Sequence, residues 1–570
     1  MGVHIATDKC LKKFLFIISI IAFGCSKSEQ SSQKIIIIHS RGIPYTSLIT
    51  YLDSVESNGF FKQKYNEGLI KKLTPITNAV TISNIATFET GEFPNVHGII
   101  GHSFAVKTDS SHKKVNGFSL PFGSQTFIES ANNDDKKILN LGALVFHHNN
   151  DNNNNTHCIA QGKKINGSSF LQLTPYQKNS DTTIIKYNTL KENSKFSSND
   201  HRLDSLFVYM ISKKTNTNEL IIDNDYNFNN GIIGKLRKEN WLEVETKNAN
   251  ALNESFRFKW LECSSDTLQL YVRGTYKNRG YPYDFLKLID ENVSTSKGWP
   301  NISLYSDSKI TDLTLIDEIN TETDFIMNSF SFSAKNNNYD LIVIDYPLID
   351  RYNHAFLQLK KSSTKTKQQY ANAYKRMDED FKKIENYAKK NNYELIITSG
   401  HGFSPVHTSI DIDNLLISHK INIDKTSNDW KVMVVPGKVS AHVYINPELD
   451  DVKKRRLLKQ IKAVFENLYH PEHKMYVIDD IYEKSELDKI NLDHENSGDL
   501  FVLLKPGFVF EKQKIKENTI FGTPTFKGEH GYALKHDDSF GILISNEQCN
   551  PCLSSDIANI VTQKLKLTNK

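Results

Sequence analysis

The chain has little net charge for its length: 70 lysines and arginines stand against 66 aspartates and glutamates in 570 residues, a formal charge of +4. That balance gives no basis for nucleic-acid binding, or for attraction to a membrane surface, through bulk charge. Cysteine is scarce, with six residues in all. Beyond Cys25 only Cys158, Cys263, Cys549 and Cys552 remain. A zinc knuckle needs a second close pair, and Cys158 and Cys263 stand alone. Cys549-Asn-Pro-Cys552 lacks the strand–helix setting near the N-terminus that a thioredoxin-like redox site requires. It fits a tight local disulfide in an oxidising compartment. The apolar run near the N-terminus, Phe14–Phe23, is too short to span a bilayer as a mature helix.

That short run is still informative. Lys9, Lys12 and Lys13 precede it, and it ends Ala22-Phe23-Gly24-Cys25 before Ser26-Lys27-Ser28-Glu29. A basic start, a short apolar run and small residues form an export signal. The Cys at its end resembles a bacterial lipoprotein signal, in which Cys25 becomes the lipidated first residue. An ordinary signal peptide that contains a Cys is the alternative. Either way the protein is exported, on a periplasmic or cell-surface face. Residues 1–25 are set apart from the fold.

The body reads as α/β. Lys34–His39 (KIIIIH), Asp340–Tyr346 (DLIVIDY) and Glu394–Ser399 (ELIITS) are short continuous apolar runs, the pattern of strands buried on both faces. Between the last two, Tyr370, Tyr374, Met377, Phe381, Ile384 and Tyr387 recur at helical spacing over about 364–391. Strand, helix, strand predicts a central, mostly parallel sheet with helices on both faces. Ligands in such sheets bind beyond the carboxyl ends of the strands.

Two stretches break this rhythm. Residues 102–325 are polar, Asn-rich and full of short strand-like runs such as Thr267–Gly274, and read as an inserted cap. Within them, His147-His148 and Asn152–Asn155 form a low-complexity loop. With His157 it reads as solvated rather than metal-binding. Residues 425–515 read as a small α+β insertion, with a strand at Ala441–Ile445, a basic amphipathic helix at Val452–Tyr469 and a strand at Asp499–Leu504. The core then comprises 26–101, 326–424 and 516–570, closing with a helix near Ser554–Leu565.

Thr81–Gly98 (TISNIATFETGEFPNVHG) has the form of a nucleophile presented at a helix start, where unpaired N–H groups and the helix dipole favour a phosphate. The simpler reading is that Thr81, Ser83 and Asn84 only cap that helix. Asp350 and His354 stand in a D-x-x-x-H spacing, expected in a polar loop after a buried strand. His530 lies in a Gly-flanked loop. One Asp oxygen and two His nitrogens are suitable zinc ligands with positions left open, although a lone His or Asp in a loop is usually only solvent-exposed.

In combination and order, these blocks resemble the alkaline phosphatase superfamily, within it the type I phosphodiesterase/nucleotide pyrophosphatase branch. Lys34–Gly42 matches the first block of that branch. Thr81 falls at the nucleophile, Asn84 at the phosphate-contacting Asn, and Asp350–His354 at the D-x-x-x-H block. Thr398–Phe403 (TSGHGF) matches the S-D-H-G-M block, and Gly528–Tyr532 (GEHGY) the late G-x-H-G-Y block. The resemblance implies a hydrolase with two metal ions, usually zinc. One is held by Asp350, His354 and His530, and the other by an Asp after the first strand, the nucleophile and the Asp-His of S-D-H-G.

Two departures fall on one metal site. Arg41 stands where the family has the Asp after the first strand, and Gly400 where it has the Asp of S-D-H-G, while His401 remains. Two negative ligands are gone and a cation has arrived, and an Arg beside a dication would be repelled. One reading is a phosphodiester or phosphomonoester hydrolase with a single metal. In it Thr81 attacks, Arg41 supplies the lost charge to the phosphate and His401 serves as general base. The other is a degenerate relative that binds a phosphorylated small molecule, a nucleotide-like ligand or a partner without turnover, because an unassisted Thr hydroxyl is a poor nucleophile.

Overall fold

The computed structural model describes residues 33–568, apart from 56–58, 108–111, 146–154, 165–168, 174, 179–183, 188–206, 213–217, 224–231, 248–252, 264–267, 422, 424–429 and 514–518. In parts of 163–275 only the backbone is described. The export segment with Cys25, and the loop with His147 and His148, lie outside the described residues.

The sheet is organised around β1 (Lys34–Ser40), in which Ile35, Ile36, Ile37 and Ile38 are all fully buried. Further along the chain come α1 (Thr81–Thr90), β2 (Ile138–Ala143), β3 (Leu341–Tyr346), α2 (Leu348–Phe356), α3 (Thr364–Lys390), β4 (Tyr393–Ser399) and β5 (Gly541–Ile544). The spatial order is β2-β3-β1-β4-β5, with the first four parallel and β5 antiparallel to β4. The mostly parallel core with helices on both faces is therefore as the sequence pattern predicts.

Alternation along β1 sorts its side chains to two cores. Ile36 and Ile38 face the cluster holding Met377, Phe381 and Ile384 of α3. Ile35 and Ile37 face Phe88 of α1 and Ile557 and Val561 of the closing helix, Asp556–Leu565. Truncating one of these isoleucines to alanine costs about 2–5 kcal/mol by transfer and cavity terms. α3 starts where Ser363 accepts a hydrogen bond from the Thr366 N–H, and its predicted apolar stripe is buried except for a half-buried Tyr387.

Within 102–325, β2 returns to the core beside β3, so that stretch is threaded by a core strand as well as cap elements. Beyond β2 the same sheet continues through Thr156–Lys164, Leu268–Tyr281, Asn253–Cys263 and Trp241–Lys247, the last three pairings antiparallel. Within 425–515 a four-stranded antiparallel sheet is backed by the helix Asp451–Glu466, which buries Ile461, Val464 and Phe465. Cys549 and Cys552 form the local disulfide, and Cys158 is a buried free thiol. His157 is a packing residue: its Nδ1 is 2.7 Å from the Tyr339 hydroxyl and its ring stacks on Phe285. Among the described residues no helix is long and apolar enough to cross a membrane.

Candidate active site

The polar residues singled out by the sequence converge at the carboxyl ends of β1, β3 and β4. Thr81 is the first helical residue of α1. The N-cap position is Val80, with extended backbone and no side-chain cap. The capping reading of Thr81, Ser83 and Asn84 is thereby corrected. The Ser83 hydroxyl and both polar atoms of Asn84 are instead buried with no hydrogen-bond partner.

Asp350 and His354 do not sit in a loop. They lie on α2, a helix buried at every position, and the i, i+4 spacing puts both on one face. The gap from His354 Nε2 to Asp350 Oδ1 is 3.9 Å. β1 ends in a turn at Gly42 (φ +73°), where any Cβ would come within 2.9 Å of the Asp350 backbone. Only glycine lets this turn lie against α2.

Three imidazoles are set in the same way. His354 Nδ1–H donates to the Gly528 carbonyl (3.1 Å), His401 Nδ1–H to the Gly402 carbonyl (3.1 Å) and His530 Nδ1–H to the Ala79 carbonyl (2.8 Å). A carbonyl can only accept, so each Nδ1 carries the proton and each Nε2 keeps its lone pair. This is how metal-binding histidines are oriented. Burial keeps these rings neutral, lowering His354 to about 3, His401 to about 4 and His530 well below its ordinary value. Ligand atoms of Asp350, His401 and His530 lie within 4.8 Å of one another, as do those of His354, Glu529 and His530. His401 Nε2, Asp350 Oδ1 and Glu529 Oε1 are buried without partners.

Burial opposes charge on Asp350, but His354, Arg41 and Arg351 more than offset it and hold the carboxyl below the usual range. Arg351 Nη1 takes Asp350 Oδ2 (2.8 Å), which leaves Oδ1 for the centre. Two parallel bonds to Glu322 (2.9 Å each) and the Trp299 ring, 3.5 Å away, hold Arg351 itself.

Arg41 is equally buried, with Nη2 2.9 Å from Asp345 Oδ2 and Nη1 3.7 Å from Asp350 Oδ2. Its Nε has no partner. Three carboxylates (Asp345, Asp350, Glu322) thus face two guanidiniums (Arg41, Arg351), one negative charge in excess. The donors fall into two sets that share His530, Asp350 with His401 and His354 with Glu529, and with this charge they fit one divalent cation. They do not fit a second ion at Arg41.

A cavity of about 940 Å³ opens on these groups, and Arg41, Thr81, His354 and His530 all line it. Sequence reasoning missed Asp345, Glu322, Arg351 and Glu529. Asp345 had a visible signal, a lone acid near the end of an apolar strand. Glu529 and Arg351 adjoin residues already singled out. Glu322 lies mid-helix in Asp312–Asn336 and nothing in its local sequence marks it.

A buried polar centre at the carboxyl edge of a mostly parallel sheet, with a threonine at a helix start, is the arrangement of an alkaline phosphatase-like α/β protein. The chain belongs to the type I phosphodiesterase/nucleotide pyrophosphatase family, whose model matches residues 48–533. Its fold is similar to that of phosphonoacetate hydrolase from Sinorhizobium meliloti 1021, solved with phosphonoacetate. Identity is 10%, the TM-score is 0.50, and the match covers 94% of this chain and 96% of that one. Human ectonucleotide pyrophosphatase/phosphodiesterase 5 matches with 12% identity, a TM-score of 0.47 and the same coverage of 94% and 96%. No curated protein matches the chain by sequence.

Proposed function

We propose that this protein is an exported hydrolase of phosphate esters that works with a single metal ion, zinc, at Asp350, His354 and His530. The observation that carries the reading is that ligand atoms of Asp350, His401 and His530 lie within 4.8 Å of one another, with His354 Nε2 3.9 Å from Asp350 Oδ1, beside a cavity that Thr81 and Arg41 line. Neutral imidazoles and one carboxylate suit zinc. When bound, the ion supplies positive charge to a phosphoryl oxygen. The Thr81 hydroxyl oxygen attacks phosphorus and its proton passes to His401 Nε2. The ester P–O bond breaks and the leaving oxygen takes that proton from His401 and departs as the alcohol; water then attacks phosphorus, giving a proton to His401, which returns it to the Thr81 oxygen as the phosphate is released. Arg41 takes the role of the second cation, its free Nε–H supporting charge on the phosphate. Cys25 carries lipid and tethers the protein to the membrane, and a Cys25→Ser protein should leave the membrane fraction.

A second reading keeps the site but not the turnover. Arg41 is paired with Asp345 and Asp350, and the Asn84 amide is turned toward Gly400. Both features suit a protein that holds an anionic ligand. Hydrolysis of bis(p-nitrophenyl) phosphate by zinc-loaded protein, lost in Thr81→Ala, supports the first reading. Equal inertness of the two proteins toward mono- and diesters establishes the second. Elemental analysis showing two zinc ions per chain would overturn the single-metal assignment.

A further inference from the structure

We infer that Trp299 is a positioning residue of the centre: its ring fixes Arg351, and through Arg351 the Asp350 carboxylate that binds the ion. The inference rests on the reading of the site as a single-metal site and names what holds one of its ligands in place. Trp299 lines the cavity and is 37% exposed. Its ring centre lies 3.5 Å from the Arg351 guanidinium and 6.0 Å from the centre of the His354 ring. Arg351 in turn donates to Asp350 Oδ2 (2.8 Å) and leaves Oδ1 on the side of His354 Nε2, 3.9 Å away. The ring is thus one side chain removed from the donor set. A desolvated guanidinium against an indole face is held by about 2 kcal/mol.

The ring is itself anchored from the inserted region. It hangs from the turn Lys297-Gly298-Trp299, whose three successive carbonyls all accept from the buried Arg273 guanidinium: Nε–H donates to Lys297 (3.0 Å), and Nη2–H reaches Gly298 (3.1 Å) and Trp299 (3.2 Å). Gly298 has φ +65°, and a Cβ there would fall 1.9 Å from Tyr276 Cε1, so only glycine lets the turn close. Arg273 Nη1 lies 2.7 Å from Glu318 Oε1. Glu318 also accepts from the Tyr271 hydroxyl (2.6 Å) and from the Asn301 N–H (2.7 Å), two residues past Trp299. Glu318 and Glu322 stand four apart on the helix Asp312–Asn336 and so share one face. The first grips the turn through Arg273, and the second grips Arg351 directly. One helix face therefore sets the spacing between the indole and the guanidinium. A cavity wall needs no such anchoring. A cation that orients a metal ligand does, because slack in Arg351 passes straight to Asp350 Oδ1.

The test is the zinc affinity of the full chain, read by competition with a chromophoric chelator, with urea unfolding of the metal-free proteins in parallel. The variants are Trp299→Leu, Trp299→Phe, Arg351→Gln and the Trp299→Leu/Arg351→Gln pair. Trp299→Leu should weaken zinc about tenfold to a hundredfold, the usual worth of a residue that orients a ligand, while the metal-free protein still unfolds cooperatively near the wild-type midpoint. Trp299→Phe keeps a ring face for the guanidinium and should recover most of the affinity. Once Arg351→Gln has removed the cation, Trp299→Leu should cost little more, so the two losses should fall well short of adding. If Arg351→Gln does not fold, the Trp299 pair decides alone. Zinc bound equally by Trp299→Leu and wild type, a Trp299→Phe protein as weak as Trp299→Leu, or strictly additive losses would each overturn the inference and leave the single-metal reading standing. A wild type that takes up no zinc would overturn that reading and the inference with it.

Discussion

The Cβ that any side chain would need at residue 400 falls 1.8 Å from Asn84 Nδ2. The Asn84 amide occupies the space that a side chain at residue 400 would need, and neither of its polar atoms has a partner there. The absence of a side chain at Gly400 and the placement of Asn84 depend on each other. Gly400→Ala should therefore destabilise the protein by about 1–3 kcal/mol through overpacking. Asn84→Ala in the same chain should recover much of that loss. A double-mutant cycle read by denaturant unfolding checks this, and strictly additive effects would refute the contact.

Arg41 has the opposite relation to its surroundings, because it neutralises rather than fills. Replacing it with Gln leaves Asp345 and Asp350 facing each other without their shared cation. Removing one partner of a buried ion pair costs about 3–5 kcal/mol. Arg41→Gln should melt well below the wild type in chelator and regain part of the difference when zinc is added. An unchanged melting temperature in chelator would show that Arg41 carries no such burden.

Much of this architecture was legible in the sequence, for physical reasons. Ile35–Ile38, Leu341–Ile344 and Leu395–Ile397 are continuous apolar runs, and only strands covered on both faces need them. Asp350, His354 and His530 could be singled out because candidate metal ligands belong to a small set of residue types. The helix carrying Asp350 and His354 was not visible. It runs for only 9 residues, too few turns for its periodicity to stand out from a polar loop. The partners of Arg41 and Arg351 were hidden for another reason. Asp345 and Glu322 meet them only through tertiary packing, and no local pattern records a contact between β1 and β3 or between α2 and residue 322. The close approach of Asn84 to Gly400 required both positions to be seen in space.

Stability should fall in mild acid for reasons outside the candidate active site. The Ile99 N–H donates to His97 Nδ1 (3.1 Å), and the Gly498 N–H donates to His442 Nδ1 (3.3 Å), so both rings must stay neutral to accept. Burial lowers His97 to about 3 and His442 to about 4. The unfolded chain takes up protons on these groups below about pH 6.5, where the folded chain does not. Their contribution is complete above that pH and is lost as the pH falls toward 4, at about 1.4 kcal/mol per pH unit for each group. Urea midpoints measured from pH 7 to pH 4 should decline, and His97→Gln should reduce the slope. A midpoint that stays flat over that window would contradict the assignment.

His401 poses the sharpest choice at the site. Its Nε2 is the proton acceptor in the hydrolytic reading, yet it also lies within 4.8 Å of Asp350 and His530 ligand atoms, and its ring stacks on His530 with centroids 3.8 Å apart. A base and a ligand cannot use one lone pair at once, so the two roles separate on substitution. If His401 is the base, His401→Ala keeps one zinc ion per chain and loses about 10²–10⁴ in kcat, the usual worth of a general base. If it is a ligand, zinc affinity falls and activity returns as zinc is raised. Zinc titration of wild type and His401→Ala, followed by kcat at saturating metal, distinguishes them. Undiminished kcat at saturating zinc would remove His401 from the proton transfer, and the Thr81 proton would then need another acceptor. The unpartnered His39 Nε2 and the Glu529 carboxyl are the nearest in kind, and of the two Glu529 lines the same cavity as Thr81.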